Sequence, residues 1–140
     1  MGRPVNYLDT SVIIPLFLGE ARSLEAEALC ANSEIIVSDL ASAEFSSALG
    51  LAARSRRLSE EAAHKVLAQF DAWIAQHAAP AETLSEDFSA ATIMLRRFDL
   101  GLRTPDALHI AIAARLGAKL LTFDAKMTAA ATALGLDATP

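Results

Sequence analysis

Short apolar runs alternate along the chain with longer stretches in which apolar residues recur every three or four positions. VNYL at 5–8, EIIV at 34–37 and KLLTF at 119–123 have the length and side-chain types of short buried strands, and AETL at 81–84 is a weaker candidate. The intervening segments read as helices. Thr10 or Ser11 caps one that begins at Val12, with Pro15 within or just past the first turn, where it costs little. A second spans about 23–31, and a third runs from about 39 to 58 with Ser38 or Asp39 as its cap. Ser59, followed by Glu60 and Glu61, opens a helix whose apolar face carries Ala63, Leu67, Phe70 and Ile74, and Pro80 ends that region. Ser85 caps a helix over 86–98, and LGLR at 100–103 is a loop. Thr104 as N-cap and Pro105 at the first helical position start ALHIAIAARLG, which Gly117 stops. AKMTAAATALG is the last helix, and LDATP is a tail.

Strands separated by helices imply an α/β fold: a small, mostly parallel central sheet covered by helices on both faces. At 140 residues the chain is a single domain, 1–140, and neither an internal repeat nor a Gly/Ser-rich linker divides it. A composition 53% hydrophobic but only 6% aromatic suits close-packed helices on a small sheet more than an all-β sandwich. Ligands of such open sheets bind at the carboxyl ends of the strands, so that edge is where chemistry is expected.

The formal charge of −5 argues against a broad phosphate-tracking surface. The lone cysteine, Cys30, forms no intramolecular disulfide and reads as a small buried hydrophobe, which fits a reducing compartment. VIIPLFL is short, holds Pro15 and follows Asp9, unlike a secretory signal, and MTAAATALGL is about half the ~20 residues of a membrane span. A cytoplasmic protein with no membrane partner is expected.

Asp9 follows the first strand and Asp124 the last strong one, so a parallel sheet brings both to its carboxyl edge. Asp106 stands at the second position of a helix, where a carboxylate interacts well with the helix dipole. Glu44 projects with Leu40, Ala41, Ala48 and Leu51 on the expected buried side of its helix, with no Lys or Arg within a turn. A buried carboxylate needs a hydrogen-bonded base or a cation, and both remain open for Glu44. Each acid alone has a plain structural role; as a cluster they would repel without a counter-ion. Oxygen ligands without a Cys or His pair at zinc spacing point to Mg²⁺ or Mn²⁺.

YLDTSVII, SDLASAEFSSAL and TPDALHIAIAARLGAKLLTFDAKM, in that order, resemble the PIN-domain family, and within it the VapC-type ribonuclease toxins of toxin–antitoxin pairs. The resemblance covers nearly the whole chain and implies a PIN-like three-layer sandwich. It assigns the family's acidic metal-binding positions to Asp9, Glu44, Asp106 and Asp124. Ser11, or Thr10, matches the small hydroxyl residue after the first acid and would steady the ligands; Thr122 is open to the same role, although an ordinary strand role is preferred for it. The implied activity is hydrolysis of RNA phosphodiesters with one or two Mg²⁺ or Mn²⁺ ions, leaving 5′-phosphate and 3′-hydroxyl ends. The implied partners are a VapB-type antitoxin that inserts a positive or blocking side chain into the acidic site, and a second copy of the chain, giving a homodimer and a heterotetramer or larger assembly.

Metal ions would meet the phosphate locally, while Arg54, Arg56, Arg57, Arg96, Arg97 and Arg103 supply limited positive surface; Arg103, beside the Asp106 helix start, is the preferred RNA contact. His109, one turn after Asp106, reads as a packed histidine in preference to a general acid. His64 and His77 carry no signal, and Phe70 and Trp73 read as core or interface residues. Two rivals stand beside this reading. One is a non-catalytic PIN-fold interaction module. The other is an Mg-dependent phosphatase of haloacid dehalogenase type, whose second Asp is replaced here by Ser11.

Overall fold

The computed structural model describes residues 2–139. Its elements are β1 (Val5–Leu8), α1 (Thr10–Phe17), α2 (Ser23–Cys30), β2 (Glu34–Ser38), α3 (Asp39–Arg54), α4 (Glu60–His77), β3 (Ala78–Ala81), α5 (Ser85–Leu95), α6 (Thr104–Arg115), β4 (Lys119–Leu121), α7 (Ala125–Ala133) and β5 (Ala138–Thr139), with a 3₁₀ turn at Phe98–Leu100. The strands form one sheet in the order β3-β2-β1-β4-β5, and every pairing is parallel.

Strand alternation sorts the core into two layers. Leu8, Ile35, Val37 and Leu121 face α1, α2, α3 and α4, where Phe45 and Phe70 stack at 4.2 Å. Tyr7, Ile36 and Leu120 face α6 and α7, and α5 packs on α6 through Ala91, Ala107 and Leu108. The result is the expected three-layer sandwich. Because β1 is central and the chain leaves it first toward β2 and later returns at β4, the strand order reverses between β1 and β4, where such sheets open a cleft at their carboxyl edge.

Several element boundaries differ from the sequence pattern, each for a local reason. The third strand is AAPA at 78–81 and not AETL; Pro80 is tolerated because β3 is an edge strand bonded only to β2. The tail contains β5, two residues long and therefore without a readable pattern, held by Leu120 N donating to Asp137 O and Thr122 N donating to Thr139 O; Pro140 lies outside the described residues. KLLTF narrows to β4, ending at Leu121. The first helix starts at Thr10, not Val12, with Asp9 as N-cap. The third stops at Arg54, four residues short of the expected end, because Arg56 turns left-handed (φ 60°) while its N–H bonds Ala53 O and that of Arg57 bonds Ala52 O, a Schellman closure with Arg where Gly is usual. Ser85 and Thr104 are first helical residues and not caps; Asp87 and Asp106, at the third positions, accept instead from the backbone N–H groups of Leu84 and Arg103. Ser38, Ser59 and Gly117 act as expected.

One ion pair absent from the sequence reading joins α5 to α6. Asp87, 2% exposed, receives Arg115 Nε at 2.8 Å and Nη2 at 3.0 Å, and the same Nη2 reaches Glu82 O. Burial pushes the Asp87 carboxyl up, but Arg115 and the Leu84 N–H outweigh it and hold it below the usual aspartate range. A carboxyl lowered in the folded state contributes stability that is complete above its unfolded value, about 3.9, and is lost as pH falls through the folded value. Arg115→Met leaves Asp87 buried without its cation and should lower unfolding free energy at pH 7 by about 3 kcal/mol; urea denaturation measures it. The deficit should shrink below pH 4, and a constant deficit down to pH 2 would contradict this assignment.

Candidate metal centre

The β1–β4 ladder continues one residue past the strands, with Asp9 N donating to Leu121 O at 3.0 Å. That bond fixes Asp9 beside the TFD segment. Although Asp9 occupies the N-cap position of α1, its side chain makes no cap bond. Its Oδ2 instead accepts from Ser11 Oγ at 2.6 Å and from Thr122 Oγ1 at 2.7 Å. Both hydroxyls are themselves oriented by backbone donors, Phe123 N on Ser11 and Asp124 N on Thr122. The carboxylate is 5% exposed. Thr122 thus does for Asp9 what Ser11 does, contrary to the ordinary strand role preferred from sequence; its contact lies 113 positions away along the chain, beyond local pattern.

Glu44 lies less deep than its helical projection suggested. The buried stripe of α3 is Ala41, Phe45, Leu49 and Ala52, Leu51 is 53% exposed, and the Glu44 side chain is 33% exposed at the margin of that stripe. Thr10 Oγ1 donates to its Oε1 at 2.9 Å, and His109 Nε2 bonds the same oxygen. Burial raises the Glu44 carboxyl, yet the His109 and Thr10 hydrogen bonds outweigh that and hold it below the usual glutamate range. Thr10, grouped in the sequence with Ser11, therefore serves a different acid.

Asp9, Glu44 and His109 each offer a ligand atom within 4.8 Å of one another, the one such group among the described residues. His109 is packed as expected, 1% exposed. It is packed against the acids, with Nε2 3.6 Å from Asp9 Oδ1, a contact signalled in sequence only by its place one turn after Asp106. Its Nδ1 meets Tyr7 Oη at 2.6 Å, and Tyr7 Oη meets Ser38 Oγ at 2.7 Å. Burial drives the Tyr7 phenol well above its ordinary value, against the opposing Ser38 hydrogen bond.

Asp106 and Asp124 stand outside that close group. Asp106 Oδ2 accepts from Arg103 N at 3.1 Å with Arg103 Nε 3.8 Å away, and Asp124 Oδ1 caps α7 through the N–H groups of Lys126 and Met127. Both lie at the carboxyl edge, Asp124 after β4 and Asp106 in the first turn of the helix that carries His109. The Arg103 side chain is 85% exposed. Cys30 is remote from this edge and half-buried, its thiol pushed up to about 11 by burial.

Two carboxylates within 4.8 Å repel by about 3–4 kcal/mol at an effective dielectric of 20. No Lys or Arg hydrogen-bonds either one; the nearest basic group is the His109 ring. Oxygen donors at a partly open margin fit a hard divalent cation.

A parallel three-layer α/β sandwich with two carboxylates and an imidazole gathered at its carboxyl edge, where the strand order reverses, defines a class of α/β protein with an acidic edge site. Within that class the chain belongs to the PIN-domain family, whose model matches residues 7–133. No curated protein sequence matches it. Among solved structures it is similar to VapC20 of Mycobacterium tuberculosis, described as a sarcin–ricin loop cleaving toxin (22% identity over 89% of this chain and 94% of that one, TM-score 0.70). It is similar also to VapBC2 of Rickettsia felis bound to a promoter DNA fragment (13%, 96% and 97%, 0.71) and to VapBC-1 of nontypeable Haemophilus influenzae (16%, 96% and 96%, 0.68). At these identities the likeness is one of fold. No helix among the described residues is long and apolar enough to cross a membrane.

The two hydroxyls on Asp9 Oδ2 set a stability expectation. Hydrogen bonds to charged groups contribute about 1.5–3 kcal/mol, so Thr122→Val should lower the unfolding free energy of metal-free protein by about that amount. An unchanged denaturation midpoint would mean that Asp9 is solvated and not held.

Proposed function

We propose that this chain is a metal-dependent endoribonuclease acting as the toxin of a VapBC-type toxin–antitoxin pair in the cytoplasm. The observation that carries the reading is the Asp9 carboxylate: buried, unused as a cap, and within 4.8 Å of a second carboxylate with no Lys or Arg bonded to it. Membership of the PIN-domain family supports the nuclease class. The fold-level likeness to VapBC complexes supports the partner.

Asp9 and Glu44 would hold Mg²⁺ or Mn²⁺ directly, with Asp106 and Asp124 completing a site for one or two ions across the cleft. A bound divalent cation would supply Lewis acidity to the scissile phosphate and to the attacking water; the 5′-phosphate and 3′-hydroxyl ends are what the family resemblance implies. Ser11 and Thr122 orient Asp9, Thr10 orients Glu44, and Arg103 offers an exposed positive group to the RNA backbone. A VapB-type antitoxin or a second toxin copy has apolar surface to engage at Phe88, Ile93 and Phe98, on and after α5, which are 52%, 70% and 88% exposed. A homodimer, and a heterotetramer or larger with antitoxin, is the expected assembly.

Purified protein freed of any partner should cleave RNA with Mg²⁺ or Mn²⁺, and Asp106→Asn should lose most of that activity; equal cleavage by the variant would sink the assignment. Independently of activity, Mn²⁺ at about 100 times its dissociation constant should stabilise the fold by about 2.7 kcal/mol. Asp9→Asn should remove most of the accompanying rise in melting temperature. A wild-type melt indifferent to millimolar Mn²⁺ would count against a preformed site.

A further inference from the structure

His109 stands among the acids close enough to be read as a metal ligand, and the hydrogen bonds behind it argue otherwise. Ser38 and Tyr7 are both fully buried. Ser38 Oγ accepts Ala41 N–H at 3.1 Å as the cap of α3, and its other partner is Tyr7 Oη at 2.7 Å. A hydroxyl has one proton to give. The Ser38 proton therefore goes to Tyr7 Oη, the Tyr7 proton goes to His109 Nδ1 at 2.6 Å, and the imidazole is left with its proton on Nε2, directed at Glu44 Oε1. Every link from the α3 backbone to Glu44 then has one hydrogen and one acceptor.

The alternative breaks that chain. A histidine that ligates through Nε2 donates its other ring N–H outward. Here that N–H would point at Tyr7 Oη, whose own proton would turn to Ser38. Ser38 Oγ would then receive two donors, Ala41 N–H and Tyr7 O–H, and its proton, in a fully buried position, would have no acceptor among the described residues. We propose that the Ser38–Tyr7 hydrogen-bond chain fixes His109 as the Nε2–H tautomer, a donor that positions Glu44, and so keeps imidazole out of the cation's coordination. Tyr7 is then the positioning residue that makes this a site of oxygen ligands alone. Withholding imidazole reduces the advantage that borderline ions such as Zn²⁺, which favour that ligand, hold over Mg²⁺ and Mn²⁺. The inference rests on the metal-site reading above and adds which side chains do not ligate.

The test begins without metal. In full-length protein labelled with ¹⁵N-histidine, the long-range ¹H–¹⁵N spectrum should show His109 protonated at Nε2 and bare at Nδ1, with His109→Gln assigning the resonance apart from His64 and His77. A proton on Nδ1 would overturn the proposal. Competition binding then compares Zn²⁺ with Mn²⁺. Tyr7→Phe, freed of the donor to Nδ1, should shift the Zn²⁺/Mn²⁺ affinity ratio toward Zn²⁺ by about tenfold. A ratio unchanged from wild type, with both affinities lowered together, would mean that Tyr7 is only a packing residue and would also overturn it. Failure of wild-type protein to bind Mn²⁺ at all would defeat the proposed function and with it the exclusion of imidazole from a coordination sphere, while the metal-free spectrum would still decide separately whether the Ser38–Tyr7 chain fixes the His109 tautomer.

Discussion

The structure is organised around a carboxylate that is nearly out of reach of water. Asp9 is 5% exposed, and an ionised group so placed persists only where the protein supplies the hydrogen bonds that water would have given. Two hydroxyls do so, one from the residue two places on and one from across the sheet. The second depends on the β1–β4 register, because the ladder bond from Asp9 N to Leu121 O sets Thr122 opposite Asp9, and the first is tied to the same segment by Phe123 N on Ser11 Oγ. The parallel sheet is thus the reason that distant segments share a site, and the helices bring Glu44 and His109 to it from opposite faces.

How much of this the sequence disclosed depends on the range of each interaction. The strands with strong β-branched patterns, the helix caps at Ser38 and Ser59 and the stop at Gly117 rest on local physics and were legible. AAPA and the two residues of β5 were not, because edge strands this short are defined by their partner and not by their own pattern. Asp9 and Glu44 were legible as candidates, and the structure brings them together. Asp106 and Asp124 were legible too, but each accepts backbone N–H groups at a helix start, a local role that the sequence reading had not assigned to either. Thr122 and His109 were underread because their contacts with the acids span 113 and 65 positions.

The acidic balance of the chain agrees with a site whose positive charge is local. Arg54, Arg56, Arg57, Arg96, Arg97 and Arg103 are all exposed; of these, Arg97 pairs with Asp99, and Arg103 stands by Asp106. Arg22, which carries no sequence signal, stacks its guanidinium 3.6 Å from the Phe123 ring centroid while pairing with Glu25. That places a cation against the segment whose neighbours orient Asp9 and cap α7. The contact covers Phe123 and braces the loop after β4 at the same time.

Ser38 shows how closely stability and chemistry are joined at this edge. It ends β2, caps α3 and terminates the hydrogen-bond chain that reaches Glu44 through Tyr7 and His109. A lost serine cap ordinarily costs about 1 kcal/mol. Here the same oxygen also governs the direction of every proton behind the acids, and α3, whose first turn it fixes, is the helix that carries Glu44. A change at Ser38 therefore acts on the position of Glu44 by two routes at once, through the backbone of α3 and through the imidazole. The fold leaves no way to alter the cap of that helix without altering the hydrogen bonding of the acid it presents.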